Sequence, residues 1–255
     1  MRHIEAFCNG VALTAAVPKA IISQVHEDTA ETDLTTGDRP GSYGQRIIGI
    51  HRKTLHVGIE FVIRELYDLS ARSRAVEAAA AWAQDGILEL SNHPGRRLRV
   101  FCTTRPAVMA ARDYTAVIRA DFTAIAVPFW EDSVPRSVQM TGTSGSSELV
   151  NLGSAPAEVE ATVKPSTSGN LTCSLTVGGT TIAFTAVTGV TSSAPLRLWY
   201  DENNYLHIDN GSVSKLAYRT AASADDMIAQ PGINSVSFTA SRSCTVTFAV
   251  RGRYL

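Results

Sequence analysis

The residues from 82 to 101 (WAQDGILELSNHPGRRLRVF) constrain the fold more than any other stretch, because a helix end, a reversal and two strands follow one another in readable order. The Ala-rich run before Trp82 has high helix propensity, and Asp68 or Ser70 can cap its start. This predicts a helix over about residues 72–83, with Val76 and Trp82 supplying bulk for packing. Gly86 reads as its left-handed terminator. Residues 87–90 and 97–101 then read as strands joined across Ser91-Asn92-His93-Pro94-Gly95, all residues that favour tight reversals.

Alternation carries the rest of the first half. Residues 56–64 (HVGIEFVIR) put Val57, Ile59, Phe61 and Ile63 on one face and send Glu60 and Arg64 the other way, as a strand with one buried side requires. Residues 115–132 (TAVIRADFTAIAVPFWED) alternate likewise and end in Pro, two aromatics and two acids. Residues 25–46 are polar and carry Gly37, Pro40, Gly41 and Gly44, so a long loop or projecting hairpin is expected there. Phe61, Trp82, Phe122 and Phe129 are the expected core rings.

Composition then changes. Residues 136–255 hold eight of the 23 Lys and Arg and eight of the 24 Asp and Glu, and are rich in Ser, Thr, Gly and Val. Two domains are therefore expected, an α+β domain over residues 1–135 and a β-sandwich over residues 136–255, joined through the Pro-, Gly- and Ser-rich residues 133–145. Strands are expected at 159–163, 171–177, 181–186, 196–200, 205–208, 235–238 and 245–250, with hairpin turns at Gly178-Gly179 and Asn203-Asn204. The chain as a whole reads as mainly β with one helix.

Chemistry is sparse. A formal net charge of −1 argues against sequence-specific nucleic-acid binding. No run approaches the ~20 apolar residues of a membrane span, so no membrane insertion is expected. Pro18 and Lys19 interrupt the apolar residues 11–22, and no secretion signal is read, which implies synthesis in a cytosol. Cys8, Cys102, Cys173 and Cys244 form no C-x-x-C pair and read as buried small hydrophobes. His51 and His56 point apart on an extended chain and cannot converge on one ion. Ser91, His93 and Asp85 hold the letters of a triad without its geometry, and no G-x-S-x-G elbow occurs. Glu131-Asp132, Asp201-Glu202 and Asp225-Asp226 read as solvated turn charges, since a glycosidase needs carboxylates from separate elements. No phosphate-binding glycine loop is present. No catalytic, cofactor or metal residue is expected, and no enzyme.

Two surface features remain. Arg96, Arg97 and Arg99 form a basic cluster, either a solvated face or an ion-pairing edge between subunits. Trp199, Tyr200 and Tyr205 lie near a predicted hairpin, as core and edge aromatics or as a platform for a sugar ring with His207, Asp209 and Asn210 beside it.

Four segments, FCNGVAL (7–13), GSYGQRIIGIHRKTLHVGIEFVIRE (41–65), ILELSNHPGRRLRV (87–100) and ADFTAIAVPFWED (120–132), together resemble the distal tail proteins of long-tailed, siphovirus-like bacteriophages. The closing PGINSVSFTASRSCTVTFAVRGRYL (231–255) is similar to the last strands of the galectin-like sandwich in that family. The resemblance implies a baseplate hub: a homohexameric ring joined through the first domains, with the tail tube protein and a tail-tip or tail-associated protein as neighbours. It implies a virion component assembled in the bacterial host cytoplasm, with no cofactor. A ring needs two complementary faces per subunit, and the polar arm of residues 25–46 with Arg39, Tyr43, Arg46, Arg96 and Arg97 is the expected interface. The alternative is a carbohydrate-binding baseplate module that touches the host envelope through Trp199, Tyr205 and His207. Residues 192–201 lack the motif by which galectins hold galactosides, so sugar binding does not follow from the fold.

Overall fold

A computed structural model describes residues 4–28, 32–38, 45–64, 66, 68–112 and 114–254. They divide into two units, one up to Trp130 and the other Glu131–Tyr254.

Unit one comprises β1 (Ala6–Cys8), β2 (Val11–Ala12), α1 (Leu13–Ala16), β3 (Ala20–Glu27), β4 (Thr32–Asp38), β5 (Gln45–Arg52), β6 (Leu55–Ile63), α2 (Leu69–Trp82), β7 (Gly86–Leu90), β8 (Arg96–Arg112) and β9 (Thr115–Ala124); β10 (Trp130–Asp132) leads out of it. Its main sheet runs β2-β1-β7-β8-β9-β6-β3, with β10 paired to β8 off this path, and β4 and β5 form a separate hairpin. The alternation of residues 56–64 decides the core: Val57, Ile59, Phe61 and Ile63 are each at most 2% exposed. They lie opposite Phe122, Ala120, Ile118 and Ala116 of β9 in antiparallel register. Each such aliphatic or aromatic burial is worth about 1.5–3 kcal/mol. From α2, Trp82 meets Phe122 edge to face at 5.9 Å and donates its indole N–H to the Val11 carbonyl at 2.8 Å.

Several local expectations change. The helix starts at Leu69 because Asp68 is its cap, accepting from the Ala71 amide at 2.6 Å and from the Ser70 hydroxyl at 2.7 Å. A second helical turn, α1, forms where Leu13 is fully buried, so the expectation of one helix is corrected. Gly86 does not end α2. It opens β7 at φ +134°, where any Cβ would overlap the Asn9 carboxamide, and that carboxamide bonds the Ile87 amide and the Asp85 carbonyl, each at 2.9 Å. Residues 25–27 complete β3, and the hairpin alternative for residues 25–46 is the one that forms, as β4–β5. Phe129 is only half-buried, since β9 has already ended at Ala124.

Unit two contains β11 (Arg136–Asn151), β12 (Ala157–Pro165), β13 (Leu171–Val177), β14 (Thr180–Val187), β15 (Leu196–Tyr200), β16 (Leu206–Asn210), β17 (Val213–Ser214), a 3-10 turn at Leu216–Tyr218, β18 (Ile228–Ala229), β19 (Gly232–Val250) and β20 (Arg253–Tyr254). The order is β14-β13-β19-β12-β15-β16-β17, with β11 also along β19. The two strands expected at 235–238 and 245–250 are one, the 19-residue β19. Its first part pairs with β13 as far as Ala240, its last part pairs with β12 from Cys244, and the residues between pair with neither. The strand thus changes partners midway, and one curled antiparallel sheet encloses a core that includes Phe184, Phe238 and Phe248. Arg242 sits at the change, donating to the carbonyls of Thr167 (2.7 Å), Gly169 and Val190 (3.3 Å).

The Gly- and Ser-rich residues 133–145 are not a linker. From Arg136 they form β11, because Val138 and Met140 alternate onto the core while polar neighbours point out. Glu131 and Asp132 are not solvated turn charges either. Glu131 is 2% exposed and faces Arg253 at 3.6 Å, and Arg253 also pairs with Glu158. Asp132 accepts from the Tyr254 hydroxyl at 2.9 Å, while Arg251 donates to the carbonyls of Asp132 and Ser133 at 3.0 and 2.5 Å. Unit two is latched where its ends meet. Gly153 completes the latch, since a Cβ there would overlap the Arg253 backbone.

Candidate functional site

The principal unsatisfied feature of unit one is a pair of open sheet edges. β7 covers β8 only at Leu98, Arg99 and Val100, whereas β9 pairs with its other edge as far as Arg112. Beyond Val100 β7 no longer runs beside β8; β10 also pairs with β8, and the Cys102 amide donates to Asp85 at 2.8 Å, so the stretch of β8 in question is residues 107–111, which are in register with β9. Residues 107–111 (AVMAA) are all exposed along that stretch, Val108 at 40% and Met109 at 62%. At the far side of the sheet, β3 pairs with β6 alone among the described residues, and exposes Ile21 at 39%. An uncharged edge with consecutive exposed aliphatic residues is a template for another strand.

The four strands β8, β9, β6 and β3 alternate in direction, so β8 and β3 run opposite ways. A rotation about an axis along the strands carries direction unchanged. The β3 of a rotated copy would therefore meet β8 antiparallel, the geometry of the stronger ladder.

One face of the same sheet holds a cleft of about 340 Å3 lined by residues that include His26, Asp28, His56, Arg119 and Asp121. Its polar groups are largely spoken for. Arg119 donates to Asp121 at 2.7 Å and to Glu60 at 3.4 Å, and this pairing with Asp121 raises its already high pKa. Both ring nitrogens of His56 are engaged, by Thr54 at 3.1 Å and Thr123 at 3.0 Å. His26 lies 3.2 Å from Glu60 and 3.5 Å from the Gln24 amide. Neither imidazole is left as a poised general base. His93, expected at a turn, bonds Glu27 at 2.9 Å and stacks on Trp130 at 4.4 Å, with Ser91 and Asp85 bonded elsewhere.

The named interface residues divide. Arg39 and Tyr43 lie outside the described residues, as does the side chain of Arg46. Arg96 and Arg97 are half-buried at the start of β8, and each is engaged within the chain. The basic cluster is therefore not a freely solvated face. In unit two, Trp199 and His207 are direct cross-strand partners whose rings stack at 4.7 Å, and Tyr205 is 69% exposed beside them. Tyr200 and Asn210, expected on the same platform, are instead buried; Tyr200 accepts from the Met227 amide at 3.2 Å, and burial drives its phenol pKa up.

Three cysteines are buried as expected and Cys102 is half-buried. Burial pushes the Cys173 thiol up to about 12 and raises the other three, the opposite of an activated nucleophile. Among the described residues no group of three His, Cys, Asp or Glu side chains is arranged to hold a metal, and no helix is long and apolar enough to cross a membrane.

No family model and no curated protein matches the chain by sequence. Solved structures do. The chain is similar over 100% of its own length and 100% of the other's to the Dit protein of phage SPP1, described as a hub of the adsorption apparatus in phages infecting Gram-positive bacteria, with 15% identity and a TM-score of 0.67. It has the Dit fold. Two structures of the phage P2 baseplate in its activated conformation, with calcium and with strontium, match at TM-scores of 0.50 and 0.51 and 8% identity, covering 99% and 98% of this chain and 98% of theirs. At these identities the Dit likeness is one of fold, and it spans both units. The mainly β architecture of the distal tail resemblance is thereby met.

Proposed function

We propose that the chain is a structural subunit of a phage tail baseplate hub, six copies closing a ring through the domain of residues 1–135 between the tail tube and the tail tip. The observation that carries this reading is the pair of open edges on one sheet. β3 and β8 differ in sequence, run in opposite directions and each expose aliphatic side chains. Two different faces that complement one another are what a closed cyclic assembly needs. Similarity in fold to the SPP1 Dit hub and the P2 baseplate supports the same role, and with it a place in the virion tail. The residues of the first sheet's cleft are bonded to one another, which fits a polar protein face better than a reaction centre.

The tail tube protein and a tail-tip protein are the proposed neighbours above and below the ring. The β4–β5 hairpin, Arg39, Tyr43 and Arg46 are proposed to reach the adjacent copy, with Arg96 and Arg97 near the seam. Light scattering on the purified chain, alone and mixed with its tube protein, tests the reading. A mass of six protomers in either sample is expected. A monomer in both, at high protein concentration, overturns it.

A further inference from the structure

The outward side of the β15–β16 hairpin carries chemistry that a ring built from unit one does not use. Alternation sends Leu196, Leu198, Tyr200 and Ile208 into the core. Facing out are Arg197 and Trp199 from β15 and His207 and Asp209 from β16, with Asp201 and Tyr205 at the connecting turn. No aliphatic side chain stands among these six. A protein-binding patch is anchored by a core depleted in charge, and this face has none.

Two of the rings on it, Trp199 and His207, are fixed in place. Trp199 donates its indole N–H to Asp209 at 2.5 Å, and His207 both stacks on Trp199 and lies 3.1 Å from Asp201. Asp201 in turn accepts the Asn203 and Tyr205 amides, each at 2.9 Å. The Trp199 and His207 rings therefore have little side-chain entropy left to lose when a ligand arrives. Meanwhile the Tyr205 phenol and the Arg197 guanidinium have no partner among the described residues, and both are exposed. An exposed aromatic ring offers its face to an apolar C–H surface, a free guanidinium donates, and carboxylates accept. Two carboxylates against one guanidinium disfavour an anionic ligand.

We propose that this face binds a neutral pyranose, the C–H side of the sugar lying on Tyr205 and its hydroxyls bonding Arg197, Asp201 and His207. The source is a polysaccharide rather than a free sugar, because a shallow open face gains affinity mainly through repeated contacts along a chain. Nothing in this depends on ring closure, since every residue lies in unit two.

The test is a titration of the full chain with methyl glucoside, methyl galactoside, N-acetylglucosamine and rhamnose, and with cell-wall polysaccharide purified from the host. Trp82 and Trp130 are 4% and 5% exposed, so a change in tryptophan emission reports Trp199; calorimetry supplies an independent reading. Saturable binding of at least one sugar is expected, tighter for the polymer. Tyr205→Ala and Arg197→Ala, both surface changes whose folding circular dichroism can verify, should each weaken it at least about tenfold. Ile233→Ser, exposed on β19, should leave it unchanged. No saturable signal with any probe overturns the proposal, as does binding that survives both substitutions. Free sugar bound as tightly as polymer overturns the assigned source. Should the two variants instead block virion assembly while no sugar binds, the face belongs to a protein partner and the proposal falls. A chain that binds sugar yet stays monomeric would sink only the ring.

Discussion

Phe248 is fully buried in β19, beyond the point where that strand changes partners, and it faces Ala161 of β12 and Val138 of β11 in register. Phe248→Ala is expected to cost about 3–5 kcal/mol, read as a lowered midpoint in chemical denaturation. Cys173, with its thiol pushed up to about 12 by burial, should resist a thiol reagent in the folded protein and react only after denaturation. Asp68 gives a pH-dependent counterpart. The Ala71 amide, then the Ser70 hydroxyl, hold its carboxyl below the ordinary range. A depressed folded value means stability that is present above the unfolded pKa of about 4 and is lost as pH falls through the folded one. Asp68→Ala should therefore lower the melting temperature at pH 7, and the gap to the parent should close as the buffer is taken down toward about pH 2.

Among the elements, β19 shows most clearly how tertiary demand shapes a strand. Arg242 holds three carbonyls at its change of partners. Arg242→Met would keep the length and strip the donors, with an expected loss of about 1–3 kcal/mol measured by denaturant titration. Strands with one buried side were legible in the sequence, as the fit of residues 56–64 and 171–177 to β6 and β13 shows. Period-two burial is a local signal. The continuity of β19 was not legible, because the polar Ser241-Arg242-Ser243 interrupts the apolar alternation between residues 235–238 and 245–250, and only the partners on each side join them. Residues 133–145 misled for the same reason: Gly and Ser mark a loop by composition, and only pairing with β19 makes the stretch from Arg136 a strand. The burial of Glu131 depends on Arg253, far away in sequence, so no spacing announced it. Of the site, the hairpin joining Trp199 to Tyr205 was legible but its register was not: a two-residue turn at Asn203-Asn204 would set Trp199 against Ile208, whereas Trp199 pairs with His207, and the inward turn of Tyr200 required the parity of β15 to be fixed. The open edges of β3 and β8 had no sequence signal beyond AVMAA, five small or apolar residues in a row.

For the whole molecule, the proposed role asks for surfaces that other chains cover. Arg119 is held by Asp121 and Glu60, the thiols are raised rather than activated, and Val108 and Met109 on β8 and Ile21 on β3 are exposed. Charge on an edge is a general means of blocking strand addition. Val108→Lys combined with Met109→Lys should therefore leave unit one folded, since both side chains are already exposed, but reduce the proposed ring to monomers in light scattering. The most direct test of the central claim is a cryo-electron microscopy map of the assembled chain, on its own or on a tube end. The account predicts six copies in which β8 of each lies antiparallel to β3 of the next, making one continuous sheet around the opening. A closed assembly with both edges facing solvent, or particles that never exceed a single protomer, would contradict it.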